Sequence, residues 1–259
     1  SSMPETVSHP RCLIQVEPGA QCTVVEDYVS LGEGANFTNA VTEIAVAANA
    51  RVRHVRLQRH NAASYNIAHC AVSLAKDAGY ASQSITLGAR ISRYDLEVVQ
   101  NGEGAEATID GLALISGRQL ADTHTTMDHA SPHGRSQQLH KTISGGAAHA
   151  VFNGKVIVRP GAQLIDSAQE SRNLLLSDKA RVNTKPQLEI FADDVKCSHG
   201  ATVGQLDPDH LFYLKSRGLP DALARSLLTY AFGAQVIERI PVPSVVRELE
   251  RIVLEQTRA

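Results

Sequence analysis

The sequence predicts an all-β core, a solenoid of short stacked strands over residues 1–206, followed by a small α-helical region over 207–259. Three observations carry this expectation. A small or turn residue followed by alanine recurs along most of the chain. Between the recurrences lie short runs with apolar residues at alternate positions. Beyond Leu206 the alternation gives way to prolines and to apolar residues at helical spacing.

The recurring pairs are Gly19-Ala20, Gly34-Ala35, Asn49-Ala50, Gly88-Ala89, Gly104-Ala105, Gly161-Ala162, Lys179-Ala180 and Gly200-Ala201. Gly and Asn accept positive φ at low cost, so they supply tight corners between strands. The alternating segments are marked by Ile44/Val46, Val55/Leu57, Leu96/Val98, Leu112/Leu114, Val156/Val158 and Leu188/Ile190. Recurrence favours a solenoid, in which each coil rests on the last, over a sandwich, the alternative that irregular spacing keeps open. Asn153-Gly154 reads as a hairpin-like corner, and residues 169–178 as a polar turn followed by a core strand.

In the helical region, Asp207 can cap a helix whose first position is Pro208. Leu211, Phe212 and Leu214 give that helix an apolar side, and Gly218 can end it. Pro220 opens a second helix with Leu223, Leu227, Tyr230 and Ala231 at helical spacing. Pro241 and Pro243 break the chain before a last helix with Val245, Val246, Leu249, Ile252 and Val253 on one face. So many apolar faces in a short segment either pack on the β-core or bind another protein.

Composition narrows the function. The 259 residues carry a net charge of −2, and the basic residues are dispersed, which disfavours a nucleic acid as partner. No apolar run is long enough to span a membrane. Cys12, Cys22, Cys70 and Cys197 form no short paired framework, which points to a reducing compartment such as the cytoplasm. The opening Ser1-Ser2-Met3-Pro4-Glu5 lacks the basic end and apolar stretch of a secretory signal, and reads as the start of a fragment. There is no GxxxxGK[ST] loop, GxSxG elbow or dinucleotide fingerprint. Any nucleotide hydrolysis therefore falls to a partner.

The chemistry concentrates in residues 192–202. On an extended backbone Cys197 and His199 project to one face, with Lys196 and Ser198 opposite. A thiolate beside an imidazole suits zinc, iron or the edge of an iron–sulfur cluster. Two ligands cannot close a site, so this half-site needs a partner; the plainer reading is a buried Cys acting as a small hydrophobe. His124, His129 and His133 lack the spacing of a helix-borne metal motif. On a strand His124 and His129 face opposite sides, and polar ladders or turns are the expected use of this stretch.

One ordered series of segments resembles a known family. It comprises residues 137–141, Val151-Phe152-Asn153-Gly154-Lys155, Gln169, residues 172–178, Asn183-Thr184-Lys185-Pro186-Gln187-Leu188-Glu189-Ile190, residues 193–202 and residues 211–218. Together these are similar to the SufB/SufD core of the SUF iron–sulfur cluster assembly system, from about residue 85 to the end. The text Lys196-Cys197-Ser198-His199-Gly200-Ala201-Thr202-Val203-Gly204 is similar to the SufD branch, since SufB tends to carry an acidic residue where Gly200 stands. His149 and Gly145-Gly146 depart from the family pattern, at a solenoid corner.

The resemblance implies a right-handed parallel β-helix, a helical C-terminal region, and a helical N-terminal region of the full protein outside this chain. It implies a non-catalytic scaffold that pairs with SufB along the β-helix edge near residues 187–202. Cys197 and His199, the stronger candidate, match interface residues that share iron or a nascent cluster with SufB, none being held stably by this chain alone. ATP-driven closure of a SufC pair would open that interface. Leu211, Phe212, Leu214, Arg217, Leu223, Leu227, Tyr230 and Phe232 match the region docking the SufC ATPase. A homodimer through exposed strand edges is the expected substitute when SufB is missing.

Two other functions compete. A lyase-like β-solenoid enzyme would use carboxylates or His124/His129 in a surface groove, but the charges are scattered. A metal carrier would need further soft ligand sets, and Cys12, Cys22 and Cys70 have no evident companions.

Overall fold

The structure, a computed structural model, describes residues 5–256. The strands, in order, are β1 (Thr6–Ser8), β2 (Arg11–Val16), β3 (Gln21–Val29), β4 (Asn36–Val46), β5 (Arg51–Arg59), β6 (Tyr65–Leu74), β7 (Gly79–Thr86) and β8 (Ile91–Gln100). They continue as β9 (Glu106–Ile115), β10 (Leu120–His129), β11 (Arg135–Ser144), β12 (His149–Val158), β13 (Ile165–Leu175), β14 (Arg181–Ile190) and β15 (Val195–Gly204). Helices α1 (Pro208–Ser216), α2 (Asp221–Ile237) and α3 (Pro243–Gln256) follow.

Successive strands alternate between two sheets, and among the described residues every strand pairing is parallel. Sheet A runs β4-β6-β8-β10-β12-β14, with β1 and β2 both beside β4; sheet B runs β3-β5-β7-β9-β11-β13-β15. One position of sheet B recurs at Arg51, Gly79, Glu106, Arg135, Asp166 and Lys196, so a coil takes roughly thirty residues. This is the predicted β-solenoid, of about 7 turns.

The corners follow the small-residue theme. Gly19, Asn49 and Gly104 take φ of 71°, 60° and 71°, and the alanines after the last two are fully buried. Two expected corners are absent. Asn153-Gly154 lies inside β12 and Gly200-Ala201 inside β15. In a solenoid the coil returns through the other sheet, so no hairpin forms. Gly154 is instead small because the Gln169 side chain lies over it: a Cβ there would stand 2.2 Å from Gln169 Nε2. Residues 169–175 are likewise strand, not turn, their uncharged polar side chains turned into the coil and the corner displaced to residues 177–180.

Sheet A turns an aliphatic ladder inward: Ile14, Ile44, Val72, Val98, Met127, Val156 and Leu188 stack in register through seven strands. Sheet B is different. Val55/Leu57 and Leu112/Leu114 point outward and bury under α2 and α3, in a second core with Ile143, Val236, Ile237, Leu249 and Val253. Asp207 caps α1 by accepting from Asp209 N–H at 2.8 Å. Two polar anchors tie α2 and the turn that follows it to sheet B. Lys141 Nζ donates to the Phe232 carbonyl at 2.8 Å, and Arg239 donates to the buried Asp110 at 2.7 Å.

Candidate metal half-site at the open end of the solenoid

β15 is the last strand of sheet B and pairs only with β13. Its register sets Cys197 beside Ser167 and His199 beside Gln169, so thiol and imidazole share the face turned into the coil. The burial gradient shows where the solenoid ends. Ser167, Gln169 and Ser171 are buried, whereas Cys197 is half-buried and His199 exposed. β14 closes sheet A at the same end, and Pro186 within it is tolerated because an edge strand can forgo an N–H. No further coil covers the free edges of β14 and β15 among the described residues.

Cys197 packs against the aliphatic core. Burial pushes its thiol pKa up, and the Asp166 carboxylate adds to the shift, so the thiol keeps its proton until a cation or donor arrives. His199 borders a groove of about 350 Å³ between β15 and α2, with Asp110, Glu170, Gln235 and Arg239 also in its walls. Behind the two donors, polar rows run into the coil. Ser167 Oγ lies 2.8 Å from Ser136 Oγ, which lies 3.0 Å from His129 Nε2. Gln169 is followed by Gln138, whose Oε1 accepts from Thr125 Oγ at 2.9 Å.

Among the described residues no group of three or more His, Cys, Asp or Glu side chains is placed to hold a metal ion. The donor chemistry of Cys197 and His199 fits iron as a half-site only, completed by ligands from outside this chain. His124 and His129 emerge on opposite faces of β10, as the strand period requires. His129 is fully buried, and burial lowers its pKa to about 4 against the pull of Asp128. His124 stands on the outer face, 2.9 Å from Asp122, while Arg93 pairs with both Asp122 and Asp95. His133 takes φ of 61° at a corner. The groove-enzyme reading therefore loses His129 to the interior and finds the carboxylates beside His124 already paired.

The helical candidates divide. Phe212, Arg217, Leu223 and Leu227 are exposed, Phe212 at 74 %. Leu211 is buried, Leu214 is half-buried, and Tyr230 and Phe232 pack against the core beneath α2. Sequence reasoning missed the interior rows Ser136, Gln138, His140 and Ser167, Gln169, Ser171. A signal was present: in β13 the inward positions are uncharged, while the outward ones include Asp166, Glu170 and Arg172.

Among the described residues no helix is long and apolar enough to cross a membrane. The family model described as "SUF system FeS cluster assembly, SufBD core domain" matches residues 1–232. The chain is 44% identical over 252 residues to an iron–sulfur cluster assembly SufBD family protein of Synechocystis sp., covering 94% of this chain and 56% of that protein. It is 42% identical over 233 residues to the iron–sulfur cluster assembly protein SufD of Escherichia coli, covering 90% of this chain and 55% of the relative. A chloroplastic protein of Arabidopsis thaliana, ABCI7, is 38% identical over 237 residues, covering 91% and 50%. The chain thus spans about half the length of these relatives. With the parallel β-solenoid, these matches show that the chain belongs to the SufBD core family of the SUF iron–sulfur cluster assembly system.

Proposed function

We propose that this chain is a non-catalytic, cytoplasmic or stromal scaffold subunit of SufD type, which builds a nascent iron–sulfur cluster together with SufB and docks the SufC ATPase. The observation that carries the reading is the uncovered end coil. There one strand presents a thiol and an imidazole on one face beside unpaired edges of both sheets. A partner solenoid adding its own end coil would pair those edges, bury both donors and supply the missing ligands. The cluster is the cargo of this site. Cys197 would bind iron through sulfur as its thiol releases its proton to solvent, and His199 would bind through a ring nitrogen.

The exposed Phe212, Tyr213, Leu223 and Leu227 on α1 and α2 form an apolar surface for the ATPase. Lys141 fastens α2 to β11, and Arg239, just past the end of α2, fastens the following turn to β9 of the site-bearing sheet. Movement of the docked helices therefore bears on sheet B.

The test is cluster assembly in the complete complex carrying His199→Ala or Cys197→Ala, with complex formation followed by size-exclusion chromatography. The complexes should form, with the His199→Ala yield reduced by at least about tenfold. Normal yields from both variants would reduce the pair to a structural role. Phe212→Ala should weaken capture of the ATPase by about 2 kcal/mol, the scale of an interface anchor.

A further inference from the structure

We propose that Gln169 is the positioning residue of His199: when the open end is closed, its side-chain carbonyl accepts a ring N–H of His199 and so leaves the other ring nitrogen free for the metal cargo. This rests on the reading of His199 as a ligand.

Gln169 and His199 are register partners on neighbouring parallel strands and share the inward face, a spacing of about 4.8 Å between strands. Gln169 is 3 % exposed, yet neither its Oε1 nor its Nε2 has a partner. A buried primary amide left unpaired on both atoms is costly, and native folds rarely keep one without a use. The fold also reserves room for it. Gly154 on the facing sheet has no side chain, and a Cβ there would stand 2.2 Å from Gln169 Nε2 and 2.7 Å from the Phe152 ring.

The orphan amide is next to the one inward imidazole of the end coil. In the isolated chain water satisfies the exposed His199. Once a partner coil covers it, its N–H needs an acceptor, and Gln169 Oε1 is the unpartnered acceptor in register with it. Metal-binding histidines are commonly oriented in this way, by a hydrogen bond to the nitrogen away from the metal.

The experiment compares four variants of the complete complex: Gln169→Met, Gln169→Glu, His199→Ala and the Gln169→Met/His199→Ala double. It reads cluster yield, retained iron(II) and complex formation. Gln169→Met keeps the length and removes the acceptor, and should lower yield and retained iron about tenfold in a complex that still forms. Gln169→Glu restores the acceptor and should recover most of both. In the His199→Ala background Gln169→Met should cost nothing further, because the two act through one imidazole.

Wild-type yield from Gln169→Met alongside a defective His199→Ala would overturn this role and leave the ligand reading intact. An additional loss in the double variant would overturn it in favour of a packing role. Wild-type yield from His199→Ala would sink the ligand reading itself. Should Gln169→Met fail to assemble, Gln169→Asn, whose carbonyl stops one carbon short, takes its place with the same outcomes.

Discussion

Sheets A and B use their outer faces in opposite ways and share the lumen unequally. Sheet A is aliphatic inside, along the Ile44–Met127–Leu188 ladder. Its outer face is bare and charged, with ion pairs such as Arg93–Asp122, Lys155–Glu189 and Arg159–Asp128. Sheet B mixes polar and apolar side chains inside, with His54, Ser82, Gln138, Gln169 and His199 beside Val52, Tyr80, Ile109 and Ile165, and is apolar outside, where α2 and α3 cover Leu57, Leu112 and Ile143. Sheet B therefore draws apolar burial from both sides, from the lumen through Val52, Tyr80, Ile109 and Ile165 and from the helices outside. The sheet that carries Cys197 and His199 is the one that depends on the helical region.

The sharpest way to break this comparison is to truncate one apolar residue on each sheet. Met127→Ala removes a fully buried rung of the inner ladder of sheet A, and Leu112→Ala an outward residue of sheet B beneath the helices. Both should cost about 2–5 kcal/mol in urea unfolding. Ser136→Ala, inward on sheet B, should cost only about 1 kcal/mol, the scale of a hydrogen bond. A near-neutral Leu112→Ala would mean that the helices do not bury sheet B.

Acid should expose the polar interior. Burial lowers His129 to about 4 and His140 to about 3. Below the ordinary histidine value of about 6.5 the unfolded chain takes up protons that the folded chain refuses. Stability should therefore be complete above pH 6.5 and fall toward pH 4, by up to about 3 kcal/mol from His129. Glu26 adds a second window. Burial raises its pKa, but hydrogen bonds from His54, Thr42 and Tyr28 and the His54 charge outweigh this and hold it at about 2. Its contribution is lost from about pH 4.5 down to 2. Urea midpoints measured from pH 7.5 to 4 should show the first slope, and His129→Asn should reduce it while His140 and His60 keep their share.

Smaller effects sit on the outer faces. Arg239→Gln leaves the buried Asp110 carboxylate without its ion pair, and should cost about 1–2 kcal/mol, held below the buried-pair range because Arg239 itself is at the surface. Arg93→Ala, in the solvated network on sheet A, should change the melting free energy by less than about 1 kcal/mol. If the two losses came out reversed, the asymmetry between the outer faces would be wrong.

Much of the architecture was legible in the residues. Asn49-Ala50 and Gly104-Ala105 announce corners because positive φ and a small inward side chain are needed together. Asp207-Pro208 marks the first turn of α1. The Cys197/His199 spacing places both on one face as soon as the segment is a strand. The direction of that face was not legible on sheet B, because alternation reports two faces without saying which is the lumen. Leu112 and Leu114 look like core positions of the solenoid, and are core positions of a different layer. Gly154 shows the same limit: its smallness answers to Gln169, a residue on the other sheet.

Because each coil touches only the coils beside it, the solenoid behaves as a one-dimensional array in which stability is summed from neighbour to neighbour. The coil of β14 and β15 has a neighbour on one side alone, so it opens at a lower free energy than β8 or β9 in the middle. Amide hydrogen exchange should rise steeply from β11 to β15, leaving the interior coils protected. On the proposed function, loading and releasing cargo at Cys197 and His199 would then require only fraying of a terminal unit, while the remaining turns keep their order.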